Sequence, residues 1–298
     1  WFIPAVRSAN YNVRLDDSLT PIHFAARYGY TGYIRFLISG GADIKAKTAS
    51  GSTALHEALR AGKIPAAQIL IDAGSEINAR DAKGNTALHI VMPQGTREDG
   101  MRLLLNSGAD PDIKDGFGDS PLHIAIRLNM HASIVRLLLE KGADLNVRNS
   151  AGQSPLHMAI EQEREQIVDI LVSRGADIFV TDIQGVTPFD IAIFKSAKLT
   201  EKLLGATNIN ASDNKGNTLL HIALAAHAPT DIIRLLIDRG ITISARNKEG
   251  ETALHIAVRD NLKDSGELLL VRGADLFANN AEGISPLYLA AYAQAGFP

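Results

Sequence analysis

Seven histidines, His23, His56, His89, His123, His157, His221 and His255, recur down the chain 33 or 34 residues apart, with one doubled gap after His157. Imidazole is the side chain most often used to bind zinc or to move a proton near neutral pH. A zinc site needs its ligands to converge within about 2 Å of one ion. A fixed interval instead puts each histidine at the same point of successive structural units. The seven then form a column with members about one helix diameter, roughly 10 Å, apart. Neither a shared metal nor a shared proton follows from that spacing. His131 and His227 lie off the column, in turns between helices, and read as surface residues.

Other chemistry is equally hard to place. There is no Gly-x-x-x-x-Gly-Lys run to cradle a phosphate. Gly116-Phe117-Gly118 begins like a dinucleotide loop, but Pro121 stands where the third glycine belongs. No Gly-x-Ser-x-Gly elbow is present, and no pair of carboxylates stands outside the repeat. With no cysteine, disulfides and thiolate metal sites are excluded. A net charge of −3 with 30 basic and 33 acidic residues argues against a general nucleic-acid binder. No apolar run approaches the ~18 residues of a membrane span, and no signal peptide is visible. The reading is a non-enzyme, with no catalytic residue, no cofactor and no metal.

The elements that carry the histidines explain their spacing. Each belongs to a phrase of the type Gly-x-Thr-Pro-Leu-His-x-Ala, anchored by Thr20, Thr53, Thr86, Ser120, Ser154, Thr187, Thr218, Thr252 and Ser285. We number the repeats 1 to 9 by these anchors. The steps are 33, 33, 34, 34, 33, 31, 34 and 33 residues, and such a period means a stacked array. In each repeat a Thr or Ser, often followed by Pro, starts a first helix. A polar break follows, as at 161–166, then a second apolar run with helical spacing, as at 167–172. Gly-Ala-Asp ends that run with a left-handed glycine cap. An extended stretch, as at 144–152, then reads as a turn or projecting hairpin.

These residues resemble the ankyrin repeat over the whole chain. The family pattern Asp-x-x-Gly-x-Thr-Pro-Leu-His-x-Ala, then Ile-Val-x-Leu-Leu-Leu and Gly-Ala-Asp, is met almost whole at Leu122-His123, Ile134 to Leu139 and Gly142 to Asp144. The resemblance implies a mainly α fold, an ankyrin-repeat solenoid of stacked helix-turn-helix units with projecting β-hairpin fingers. It implies eight complete repeats plus partial repeats at both ends, forming a single elongated domain over 1–298, with 1–17 as the remnant of a preceding repeat. It also makes the histidines structural, their ring nitrogens bonding the Thr or Ser hydroxyl and nearby backbone.

By the same resemblance, partners lie in a concave groove lined by finger tips and first-helix ends. Arg27, Arg60, Arg127 and Arg259 occupy one groove position, with Glu161 there in repeat 5. A locally basic groove is one reading; that Arg is simply a good solvated helix residue is the plainer and preferred one. Repeat 6 departs most. Asp190 replaces the histidine, and two residues are missing where Gly-Ala-Asp should stand, at 205–208. Ile183 and Val186 sit at its tip and Phe194 in its groove; Phe117 and Leu128 hold comparable places in repeat 4. Clustered exposed apolar residues mark interaction surfaces, although an irregular repeat could also repack them against a neighbour. Phe179 and Phe277 share a column, which favours packing for both. Pro93 should end the first helix of repeat 3 early.

The expected function is a protein-recognition scaffold; small-molecule or oligonucleotide binding between the fingers is a further reading, with Tyr28 beside Arg27 and Arg60 as its one hint. The expected partner is a protein or peptide, with no nucleic acid, and the chain is expected to be monomeric. The alternative is a targeting or regulatory arm of a larger enzyme, toxin or channel, since the sequence starts and stops inside a repeat.

Overall fold

A computed structural model describes residues 10–93, 97–206 and 208–294. Among them are seventeen α-helices and no strands. The chain divides into two compact bodies, Trp1–Pro155 and Leu156–Pro298.

The N-terminal body holds four helix pairs: α1 (Pro21–Tyr28) with α2 (Thr31–Ser39), α3 (Ala54–Arg60) with α4 (Ile64–Asp72), α5 (Ala87–Val91) with α6 (Arg97–Asn106), and α7 (Pro121–Arg127) with α8 (Ala132–Glu140). First helices pack on first helices, and second helices on second. The core is therefore a stripe. Its first-helix layer includes Ile22, Leu55, Leu59, Leu88 and Leu122; Ile34, Leu37, Leu70, Leu104 and Leu138 supply the second.

The C-terminal body continues with α9 (Pro155–Glu161), α10 (Glu165–Ser173), α11 (Pro188–Lys195), α12 (Ala197–Ala206), α13 (Leu219–Ala225), α14 (Thr230–Asp238), α15 (Ala253–Arg259), α16 (Lys263–Val271) and α17 (Pro286–Gln294). Phe189, Leu203, Leu220, Ile233, Leu236 and Leu269 are among its buried side chains. No helix among the described residues is long and apolar enough to cross a membrane.

The anchors start the first helices as the sequence predicts. Thr20 Oγ1 lies 2.8 Å from His23 Nδ1, which also accepts the Thr20 backbone N–H. Histidine thus takes the part that Glu or Gln plays in a capping box. The same reciprocal cap forms at Thr53, Thr86, Ser120, Thr218 and Thr252. Pro93 has the predicted effect: α5 stops at Val91.

The projecting fingers are turns rather than hairpins with strands. Each tip closes on two backbone hydrogen bonds, such as Thr48 N–H to Ser52 O and Gly51 N–H to Thr48 O, both at 2.9 Å, around a glycine of positive φ. Some successive tips then join by a single backbone bond, Ala82 N–H to Ser50 O and Gly116 N–H to Lys83 O in the N-terminal body. In the C-terminal body Lys248 N–H bonds Lys215 O and Ala281 N–H bonds Glu249 O. One bond per junction is too few to make a ladder. The described residues contain a lone antiparallel bridge, Ser212 with Thr218.

Repeat 6 is shortened at two places, which corrects the expectation that both missing residues fall at 205–208. α12 begins ten residues after its anchor Thr187, whereas α2, α4 and α10 begin eleven after Thr20, Thr53 and Ser154. One residue is therefore lost from the turn between the helices. There Ser196 is extended (φ −166°, ψ 130°), where other repeats carry a left-handed Gly29, Gly62, Asn129, Glu163, His227 or Asn261.

Candidate interaction surface

The histidine column can be followed atom by atom. His23 Nε2 faces the carbonyls of Ala46 and Ser52, both at 3.1 Å. His56 reaches Asn85 O at 3.2 Å, and His123 reaches Gln153 O at 2.9 Å. In the C-terminal body His157 meets Val186 O (3.0 Å), His221 meets Glu251 O (3.0 Å) and His255 meets Ile284 O (3.1 Å). A nitrogen facing carbonyls must carry the proton, so Nε2–H donates and Nδ1 accepts. Each ring is thus a neutral staple from one first helix to the next finger. Burial pushes His23, His56, His89, His123 and His221 below the ordinary histidine range. His89 is the loose member: its buried Nε2 is near the Asp119 carbonyl but outside hydrogen-bonding geometry. No three His, Asp or Glu residues converge as metal ligands among the described residues.

The groove arginines are held by acids. Arg27 donates to Glu57 at 2.8 Å, and Arg60 clasps the same carboxylate from the other side. Glu57 is 3% exposed, so its charge is neutralised within the fold. Arg60 also donates to Ser52 Oγ. Arg127 pairs with Asp119 at 3.0 Å and Arg259 with Glu251 at 2.6 Å. A rule emerges: the residue seven after the anchor reaches the residue one before it. Sequence reasoning identified the arginines and missed these acids, although the eight-residue spacing Ser52–Arg60, Asp119–Arg127 and Glu251–Arg259 was there to be read. The hint of a ligand near Tyr28 weakens accordingly, because Arg27 and Arg60 converge on Glu57 and Tyr28 rests on Phe24, ring centroids 4.5 Å apart.

In repeat 6 the same two positions are Val186 and Phe194, an apolar pair in place of an acid and an arginine. Phe194 is 60% exposed, and Val186 and Ile191 are half-buried. Where arginine stands over the corresponding sites, they are closed: Asp119, Ile124, Glu251 and Ile256 are all buried. Val186, Asp190, Ile191, Phe194 and Lys195 therefore line an open hollow of about 410 Å³.

Asp190 explains why this junction is loose. Its Oδ2 accepts the Thr187 N–H at 2.9 Å and the Thr187 hydroxyl at 2.7 Å, so the helix cap survives. A carboxylate has no N–H to donate, so the staple to the next finger is lost. The tips respond. A Cβ built on Gly51, Gly84, Gly216 or Gly250 would meet the following finger, but one on Gly185 would meet nothing within 4 Å. Nor does the Asn214 N–H bond Gln184 O as Lys248 bonds Lys215. Ile183, 72% exposed, stands at this gap.

The remaining candidates scatter. Phe117, 76% exposed, projects from the tip of repeat 4, and Leu128 is exposed at the end of its first helix. Of the pair expected to pack in one column, Phe179 is half-buried and Phe277 is exposed; Phe277 thus departs from that expectation, its N–H held by Asp275 while its ring faces solvent.

A family model described as ankyrin repeats (3 copies) matches residues 2–81, 22–115, 88–182 and 189–280. No curated protein matches the chain.

Proposed function

Because the chain belongs to the ankyrin-repeat family, whose repeats generally mediate protein–protein interaction, we propose that it is a non-catalytic recognition scaffold. It holds a protein or peptide partner along a concave groove, without nucleic acid, cofactor or metal. The array acts as one domain over 1–298 and as a monomer. Repeat 6 supplies the principal contact through Ile183, Val186 and Phe194. Phe117 and Leu128 add apolar contacts in repeat 4, and Arg27, Arg60 and Arg127 serve as a polar frame.

The observation that supports this reading is the open apolar hollow at repeat 6, at a position where other repeats close an ion pair. Exposed aromatic anchors dominate interface energetics, and this one is not consumed by internal packing. The test compares two substitutions. Phe194→Ala is expected to leave the melting temperature within about 1–2 °C and to weaken capture of the co-purifying partner at least tenfold. Leu137→Ala removes a buried α8 side chain and is expected to cost about 2–5 kcal/mol of stability. A Phe194→Ala protein as unstable as Leu137→Ala, or one that retains the partner at full strength, would sink the assignment.

A further inference from the structure

Six residues before the anchor, five successive repeats carry a basic residue: Arg14, Lys47, Arg80, Lys114 and Arg148. All five are exposed, and all belong to the N-terminal body. The next four repeats have Thr181, Ser212, Arg246 and Asn279 there, so the run is not a general property of the array. Side chains of an extended stretch alternate between its two faces. Ala46, Ala79 and Val147, one residue before a member, are buried, as are Thr48 and Asp115, one residue after. The basic side chains therefore share the outward face of the fingers. Asp81 and Asp115 turn the other way: each accepts two backbone N–H groups of its own turn, from Lys83 and Asn85 and from Phe117 and Asp119.

The column is linked without being neutralised. Lys47 Nζ donates to Arg80 O at 3.0 Å, and Arg80 Nη2 donates to Lys114 O at 2.9 Å. Arg80 Nε and Arg148 Nε donate to the carbonyls of Gly84 (3.1 Å) and Gly152 (3.0 Å). A carbonyl directs a cationic side chain but has no net charge to cancel it, and an ammonium or guanidinium keeps further N–H donors. The basic partners in the ion pairs of the N-terminal body are Arg27, Lys45, Arg60, Arg102 and Arg127. Among the described residues, Arg14, Lys47, Arg80 and Lys114 pair with no carboxylate. The groove arginines are spent on internal acids; these four charges are not.

We infer that this column is a second interaction surface, which takes an extended acidic segment of a protein partner with a carboxylate at every third residue. The interval follows from geometry. Stacked repeats lie roughly 10 Å apart, and an extended chain advances about 3.3 Å per residue. Like charges at that interval repel one another, and carboxylates laid along them relieve the repulsion. Lys47 and Arg80 are already held by carbonyls, so little side-chain freedom is lost on binding. Charge matched along a line sets register and speeds encounter. The inference shares with the reading above the premise of a protein partner, and it does not use repeat 6.

The experiment titrates the isotope-labelled full chain with twelve-residue peptides and follows backbone amides by NMR. The probes are four Glu-Gly-Ser units, four Gln-Gly-Ser units, a peptide with its four Glu in one block, and a thymidine oligonucleotide with four phosphates. The spaced Glu peptide is expected to shift amides beside Arg14, Lys47, Arg80, Lys114 and Arg148 and to leave those beside Arg246 unmoved. Its affinity should fall roughly tenfold between about 50 and about 500 mM NaCl. Combining Lys47→Gln, Arg80→Gln and Lys114→Gln should remove the shifts without lowering the melting temperature, and Arg246→Gln should change nothing. A Gln peptide that shifts the same amides, a Glu block that binds as tightly as the spaced peptide, or no shift at all overturns the inference. An oligonucleotide that binds tighter than the spaced peptide overturns it in favour of nucleic acid. The repeat 6 surface stands or falls separately, on capture by Phe194→Ala.

Discussion

A histidine whose two ring nitrogens are both engaged in the neutral form is a proton-sensitive part. Burial lowers the affinity of His23, His56, His89, His123 and His221 for a proton relative to the unfolded chain. Between those lowered values and about pH 6.5, the unfolded chain binds more protons, so stability falls with falling pH. It is fully present above pH ~6.5 and drops by at most about 1.4 kcal/mol per pH unit for each such histidine. Urea unfolding at pH 7.5, 6.0 and 5.0 checks this; a midpoint that does not move would contradict the neutral staple. At the same position, Asp190→His restores the missing donor. It is expected to add on the order of 1 kcal/mol and to narrow the repeat 6 hollow, lowering partner capture. Glu57 invites the opposite change. Arg27→Ala combined with Arg60→Ala strands a buried carboxylate and should cost about 3 kcal/mol or more, measured by denaturant midpoint, while either single change costs less because one guanidinium remains. The histidines and arginines were visible in the sequence by type and spacing. Their partners Ser52, Glu57 and Asn85 were not, because a hydrogen bond 29 or 30 residues long requires knowing how two repeats stack.

At the scale of the element, helix starts and stops were legible: a hydroxyl cap begins each first helix, with histidine at the third helical position in all but two, where Asp190 and Tyr288 stand, and Pro93 truncates α5. The fingers were less so. Their extended stretches suggested a turn or hairpin, but a tip shares at most one backbone bond with its neighbour, and strand pairing needs several in register. Glycine at the tip serves two ends, positive φ and close approach. Gly51 has φ +76° and a Cβ there would sit 2.7 Å from Ala82 N, whereas Gly185 has φ +82° and open space. Gly51→Ala should therefore destabilise by more than Gly185→Ala, the latter costing only the left-handed backbone term of about 1 kcal/mol. Equal thermal shifts for the two would show that the gap at repeat 6 is filled. The lost residue in the α11–α12 turn was misplaced by sequence reading, because counting between anchors gives a total and cannot say which connection was shortened.

For the whole molecule, stability is a sum of repeats and their junctions, so the weakest junction governs local opening. In the C-terminal body that junction lies between repeats 6 and 7, which lacks both the histidine staple and the tip-to-tip bond. The Asn214 amide is expected to exchange with solvent at least tenfold faster than those of Lys248 and Ala281, which do hold tip bonds; hydrogen exchange read by NMR measures it directly. The same looseness exposes Phe194, so the irregularity in the array and the proposed partner surface have one origin. By itself the sequence determined the family, the period, the helix pairs and the place where the pattern fails, because each is set by contacts within one repeat or by the recurrence of a cap. Only the tertiary structure decided which groove charges are spent on internal acids and which apolar side chains stay open. Those outcomes depend on residues brought together across neighbouring repeats, where an arginine can close over an acid and a phenylalanine cannot.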